Sequence, residues 1–307
     1  MRKKITMNVA TPTIQEAIDL FIRKCRVKNL SEKTITTYSI HLKMFSEYHN
    51  GTLEEISKDI VDDYIMSLKD KVNDTTVNSY LRSVRVFLYY CMDCNYIPKF
   101  KINMIKVDKK IKETYTTEEL QRLLVKPEKS SFAEYRTWVF INYLLATGNR
   151  LSTALDLKIK DINFDDGTIA LCKTKSRKQQ IIPLSKSISV VLKEYLAIRG
   201  GVPEDYVFCN VYGEKAAPRS YQDMVSSYNI KRGVNKTSIH LFRHTFAKQW
   251  ILAGGDVFRL QKILGHSDLT VTREYVNMFG QDLQLDFDRF NPLDNIKKER
   301  RSLWKKN

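Results

Sequence analysis

Three times in this chain of 307 residues a threonine is followed three positions later by a glutamate, at the head of a helical apolar pattern. The segments are Thr13-Ile-Gln-Glu16, Thr52-Leu-Glu-Glu55 and Thr116-Thr-Glu-Glu119. Such a capping box satisfies two backbone N–H groups that a helix start would otherwise leave unpaired, so it fixes where a helix begins. Behind the first come Ile14, Ala17, Ile18 and Phe21 at helical spacing. A second helix is expected from Ser31, carrying Ile35, Tyr38 and Leu42. A short helix follows Thr52, and Ile60, Tyr64, Ile65 and Leu68 mark a third stripe. From Asp74 to about Asn95 a long helix turns Val77, Leu81, Val84, Leu88 and Cys91 one way, with Arg82 and Arg85 on another side. Strand periodicity is absent from this half, so residues 1–96 are expected to form a small helical bundle.

Residues 97–115 break the pattern. Pro98 opens the stretch and lysines punctuate it, so it reads as an extended basic linker, either plainly solvated or laid along a polyanion. Helical spacing resumes at Thr116 and runs through Trp138 to Leu145. Asp165-Asp-Gly167 is a turn signal, and Thr168 to Cys172 with Gln180 to Leu184 make a hairpin looped through Lys173 to Lys178. Tyr206 to Cys209 reads as a further short strand, and the rest is again helical. The expected fold class is mainly α with a small β-hairpin or sheet: a helical domain over 1–96, the linker 97–115, a mixed α/β domain over 116–283, and a terminal segment 284–307.

The formal net charge is +16. A surplus that large implies a polyanionic partner, with nucleic acid ahead of an anionic membrane surface. No apolar run is long enough to span a bilayer, and the basic start lacks the apolar stretch of a secretory signal, so a cytoplasmic location is expected. The five cysteines are odd in number and scattered. Cys91 and Cys94 form C-M-D-C without a second pair or a nearby histidine, which favours reduced thiols over a metal site or a disulfide framework.

The second half carries polar residues in a distinctive order: Arg150 in A-T-G-N-R, Lys175 in the hairpin loop, His240 and Arg243 in H-L-F-R-H, His266 in L-G-H-S, and Tyr275 nine positions later. Phosphodiesters resist attack because they are anionic and their leaving group is poor. Two guanidinium groups can hold the non-bridging oxygens, each offering forked donors. Lys175 can protonate the departing 5′ oxygen, His240 can accept the proton of Tyr275, and His266 can position the phosphate. Tyr275 can attack phosphorus. Taken singly, each residue has an ordinary structural explanation; Arg150, for instance, can serve as a cation at the helix end marked by Thr147-Gly148. No acidic cluster argues for magnesium.

The ordered series, within residues 10 to 285, resembles the tyrosine recombinases, also called the phage integrase family. By that resemblance Arg150, Lys175, His240, Arg243, His266 and Tyr275 are the catalytic set, with Tyr275 the nucleophile that forms a 3′-phosphotyrosine. The resemblance implies a two-domain clamp around double-stranded DNA, a homo-tetramer on two sites, strand exchange through a Holliday junction, and no metal or nucleotide cofactor. DNA contacts are expected from Lys33, Thr34, Tyr38, Arg82 and Arg85 in the first domain and from Lys173 and Arg177 in the hairpin loop. Two positions depart from the family pattern: Thr153 stands where an acidic residue is usual, and Asn149 where leucine is common. The wording H-L-F-R-H-T-F-A-K-Q-W resembles integrases of mobile elements. Housekeeping Xer-type recombinases are the alternative, and a DNA-binding protein that has lost the reaction is the alternative of another class. Leu285, Phe287, Phe290 and Leu293 are expected to pack on their own domain or on a neighbouring protomer.

Overall fold

The computed structural model describes residues 11–108, 113–128, 131–172, 179–266 and 268–279. The chain divides after residue 110 into two compact units.

Among its described residues the first unit holds four α-helices: α1 (Ile14–Val27), α2 (Glu32–His49), α3 (Lys58–Lys69) and α4 (Asp74–Asp93). Both capping boxes close as the sequence requires. Thr13 donates its N–H to Glu16 Oε2 at 2.8 Å, while Glu16 donates its own to Thr13 Oγ1 at 3.2 Å. The second box opens only a single 3-10 turn, Leu53–Glu55, and α3 starts afresh at its own cap, Ser57. Helix α4 is the hub: Val77, Leu81, Val84, Phe87, Leu88 and Cys91 are wholly buried against the other helices. On α3 the core position falls to Val61, and Ile60 is only half-buried.

Residues 97–108 contain neither helix nor strand, but they do not run free through solvent. Ile97 and Ile102 are buried in the core of the first unit. Asn78 on α4 donates to Ile105 O at 2.9 Å and accepts from Ile105 N at 3.1 Å, as a neighbouring strand would. Lys99, Lys101 and Lys106 remain exposed. The apolar residues between the lysines explain the difference from a plain linker, since leaving them in water would forfeit about 1.5–3 kcal/mol each.

The second unit is built around α6 (Phe132–Thr147), which is apolar on every side. Val139, Phe140, Ile141 and Tyr143 are fully buried. Around it lie α5 (Thr117–Leu124), α7 (Leu151–Leu155), α8 (Lys186–Arg199), α9 (Pro218–Lys231), α10 (His240–Leu252), α11 (Val257–Leu264) and α12 (Leu269–Phe279). The sheet is antiparallel, in the order β1 (Ile162–Asn163), β2 (Thr168–Leu171), β3 (Gln180–Pro183), with Ile169 paired to Ile182. The two-residue β1 was not anticipated. The strand expected at Tyr206 to Cys209 is reduced to isolated bridges, Lys158 to Tyr206 and Cys209 to Lys215.

The residues leading into α5 are pinned to α10. Tyr115 donates its N–H to Thr245 Oγ1 at 2.9 Å, and its ring lies 4.5 Å from that of Phe242. Its hydroxyl donates to Lys236 O at 3.2 Å. All five cysteines are free thiols. Among the described residues no helix is long and apolar enough to cross a membrane.

Candidate active site

Gly148 ends α6 in the left-handed region, with φ of +62°. A Cβ there would lie 2.6 Å from Phe246 and 2.8 Å from Leu264, so only glycine fits. The turn it makes sets Arg150 as the N-cap of α7, half-buried. Asn149 is buried but satisfied, donating Nδ2–H to the Tyr143 hydroxyl at 2.7 Å. That bond accommodates a polar side chain where the family pattern favours leucine. Thr153 is also buried, on α7.

Helix α10 brings His240, Arg243 and His244 to the same place. Arg243 is 6% exposed. It donates Nη1–H to Gly148 O and Nη2–H to Leu264 O, both at 2.8 Å. Arg150 Nη1 lies 3.5 Å from the same Leu264 carbonyl. That oxygen closes α11, where the negative end of the helix dipole suits two cations. Burial, followed by the charge of Arg150, pulls the Arg243 pKa down to about 10, so it stays charged at neutral pH. Desolvation likewise lowers that of Arg150. Among the described residues no carboxylate is paired with either guanidinium. Two cations held by carbonyls, without a counter-charge, make a site that favours an anion.

His266 Nε2 lies 2.7 Å from Arg243 Nη2. A guanidinium only donates, so Nε2 is the acceptor and Nδ1 carries the proton, which goes to Thr272 Oγ1 at 2.8 Å. The His266 ring is parallel to that of Tyr275, at 6.4 Å. Tyr275 on α12 is 2% exposed. Its hydroxyl lies 2.8 Å from Nδ1 of His244 and feels the charges of Arg243 and Arg150.

His244 was missed in the sequence. The expected partner of Tyr275 was His240, which begins α10, is exposed, and faces the two arginines. Partial desolvation, then the Arg243 and Arg150 charges, hold the His240 pKa below 6.5. The hydrogen bond to Tyr275 comes from one turn further along, where α12 packs on α10. The available signal was the second histidine of H-x-x-R-H. It stands next to Arg243, and neighbours on a helix point about 100° apart, so adjacency hid their convergence.

Lys175, Lys173 and Arg177 lie outside the described residues, as does the segment 284–307. The strand that follows the hairpin loop is anchored at the site: Gln180 Nε2–H donates to Ile263 O at 2.8 Å, beside the Leu264 carbonyl. In the first unit Lys33 and Arg82 are exposed. Tyr38 feels the charge of Arg82 and packs its ring 5.6 Å from that of Phe21. Thr34 is engaged with the Ser31 cap, 2.8 Å between hydroxyl oxygens, and Arg85 lies half-buried over the Tyr89 ring. Lys33 and Arg82 are therefore better placed than Thr34 and Arg85 to meet an external anion.

A helical unit followed by an α/β unit, with a buried tyrosine hydroxyl set among arginines and histidines, is the organisation of a tyrosine recombinase, an enzyme that cleaves and rejoins DNA. Comparison with known families agrees: residues 113–281 match the phage integrase family, and residues 18–96 match the phage integrase N-terminal SAM-like domain. The chain belongs to the phage integrase family. It is 28% identical over 279 residues to a tyrosine recombinase of Pseudothermotoga lettingae, covering 87% of this chain and 94% of that one. It is 24% identical over 294 residues to tyrosine recombinase XerD of Staphylococcus aureus, covering 91% and 99%. Among solved structures, the XerH recombinase on difH DNA after cleavage superposes with a TM-score of 0.69 at 25% identity, over 88% of this chain and 82% of that one. The fold also matches the Tn1549 transposon integrase on transposon right-end DNA, with a TM-score of 0.75 at 19% identity, over 95% and 100%.

Proposed function

We propose that this protein recombines DNA at specific sites with Tyr275 as nucleophile. The observation that carries this reading is the buried Tyr275 hydroxyl, hydrogen-bonded to His244 and set in the field of two arginines that have no carboxylate partner among the described residues. Tyr275 Oη attacks the phosphorus, the 5′ oxygen departs, and a 3′-phosphotyrosine preserves the energy of the broken bond for rejoining. Arg150 and Arg243 neutralise the non-bridging oxygens, where losing one such donor costs about 10² or more in rate. His240 and His266 complete the phosphate site, and Lys175 protonates the leaving oxygen. Both units bind double-stranded DNA, with Lys33, Tyr38 and Arg82 among the contacts of the first. Four protomers on two sites exchange strands through a Holliday junction, in the cytoplasm.

The setting is integration and excision of a mobile element. The motif around Arg243 and the fold shared with a transposon integrase support this. A second reading, resolution of chromosome dimers, is supported by the near full-length match to XerD. Covalent trapping on sheared genomic DNA tests both. Wild-type protein should retain DNA through a phosphotyrosine, whereas Tyr275→Phe should bind the same DNA and retain none covalently. A covalent adduct in the Phe variant would sink the nucleophile assignment. Trapped sites at the ends of an insertion support the first setting, and one chromosomal site without an insertion supports the second.

A further inference from the structure

We propose that His244 takes the proton of Tyr275 as the phosphodiester is attacked. The inference rests on the reading of Tyr275 as nucleophile and adds the group that activates it. The Tyr275 hydroxyl is hydrogen-bonded to His244, and the charge of Arg243 acts on it from nearby. The phenol oxygen lies 2.8 Å from His244 Nδ1, and with the ring proton of His244 on Nε2 the phenol donates its hydrogen to Nδ1. The other two imidazoles at the site face the arginines that hold the phosphate. His266 has Nε2 against Arg243 and Nδ1 against Thr272, and its ring lies parallel to that of Tyr275, with planes 2° apart. His240 sits toward solvent at the start of α10, against the two guanidinium groups.

The step balances with no added reagent. The Tyr275 O–H bond breaks and its proton passes to His244 Nδ1. The Oη–P bond forms as the P–O5′ bond breaks, and its electron pair leaves on O5′, which takes a proton from Lys175. In religation Lys175 takes back the proton of the 5′ hydroxyl as that oxygen attacks the phosphotyrosine, the Oη–P bond breaks, and Nδ1 returns its proton to Tyr275 Oη. In water the transfer from phenol to imidazole is uphill by about 3.5 pKa units. The positive charge of Arg243 narrows that gap by stabilising the developing phenolate.

The test uses the full chain and a nicked suicide duplex built on a trapped site. His244→Asn presents Oδ1 where Nδ1 stood and keeps an acceptor for the phenol, but it cannot take up a proton. His244→Ala removes both functions. Both variants should bind a half-site with wild-type affinity and form adduct about 10²-fold more slowly or worse. Their rates should climb about tenfold per pH unit, because hydroxide must do what His244 did, whereas the wild-type rate levels off once the histidine is neutral. Added imidazole should accelerate His244→Ala, a response that a folding defect does not give. A 5′-bridging sulfur leaving group should rescue neither variant. Wild-type rate and pH profile in His244→Asn, with only the Ala variant slow, would reduce His244 to a positioning residue and overturn the proposal. Wild-type behaviour in both overturns it outright. An adduct in Tyr275→Phe removes the nucleophile itself, which is a separate failure.

Discussion

Arg243 fixes the tautomer of His266: its Nη2 lies 2.7 Å from Nε2, which leaves the imidazole proton on Nδ1, directed at Thr272. Thr272 is wholly buried, so no water replaces its hydroxyl if it is lost. Thr272→Val should lower the rate of covalent DNA cleavage about 10- to 100-fold, the usual penalty for losing a supporting hydrogen bond behind a functional group. Thr272→Ser should restore most of it. Adduct formation on a suicide substrate reads both, and an unimpaired valine variant would show that His266 needs no such anchor.

The two arginines should separate in stability. Arg243 is tied to the carbonyls of Gly148 and Leu264, whereas the contact from Arg150 to Leu264 is long, at 3.5 Å. Lysine lacks the planar fork. Arg243→Lys should therefore lose cleavage by about 10² or more and also melt several degrees lower. Arg150→Lys should lose cleavage similarly with a smaller shift in melting temperature. Equal shifts in a thermal melt would contradict this division.

Gly148→Ala combines a φ of +62° with a Cβ driven against Phe246 and Leu264. The cost should be at least about 1–3 kcal/mol in a denaturant titration. Phe246→Leu in the same chain should recover part of it, because the clash and not the turn alone is relieved. Strictly additive effects of the two changes would mean that the Cβ contact is not the cause.

His41 and His240 both have pKa values held below the ordinary 6.5, His41 by burial and His240 by desolvation and the arginine charges. Below that pH the unfolded chain binds protons that the folded one resists, so the fold loses stability on acidification. Stability should be flat above about pH 7 and should decline as pH falls through 6.5 and below. Denaturant midpoints across pH 5 to 8 check this. A bound phosphodiester adds negative charge beside His240, so its titration followed by NMR should move to higher pH on DNA. No movement would place the phosphate away from His240.

Arg82 is exposed on α4 and its charge reaches Tyr38 on α2. If it meets a DNA phosphate, Arg82→Ala should reduce the slope of log affinity against log salt by about 0.9, one contact's worth. Arg85→Ala should leave that slope unchanged. Fluorescence anisotropy at graded salt distinguishes the two.

What the sequence made legible follows from how local each signal is. The starts of α1, α2 and α5 could be read because a cap and its apolar stripe lie within a few residues. The hairpin could be read because its turn residues lie between its strands. Strand β1 could not, because two residues carry no period. Ile97 and Ile102 looked like linker because burial against α4 is a tertiary fact that no window of sequence contains. At the site, the positions of Arg150, Arg243, His266 and Tyr275 stand out as a series, yet the pairing of Tyr275 with His244 depends on how α12 lies across α10. The tie from Gln180 to the end of α11 is hidden for the same reason, joining residues 83 apart.

The attachment of Tyr115 to Thr245 has a mechanical consequence. Thr245 directly follows His244, the ring that holds the Tyr275 hydroxyl. The only covalent route from the first unit into the second passes through Tyr115. Tension on that route would first meet the tie from Tyr115 to α10, one residue from His244. A tether that merely joined two bodies would end on an outer loop. This one ends on α10, next to the residue that is hydrogen-bonded to Tyr275.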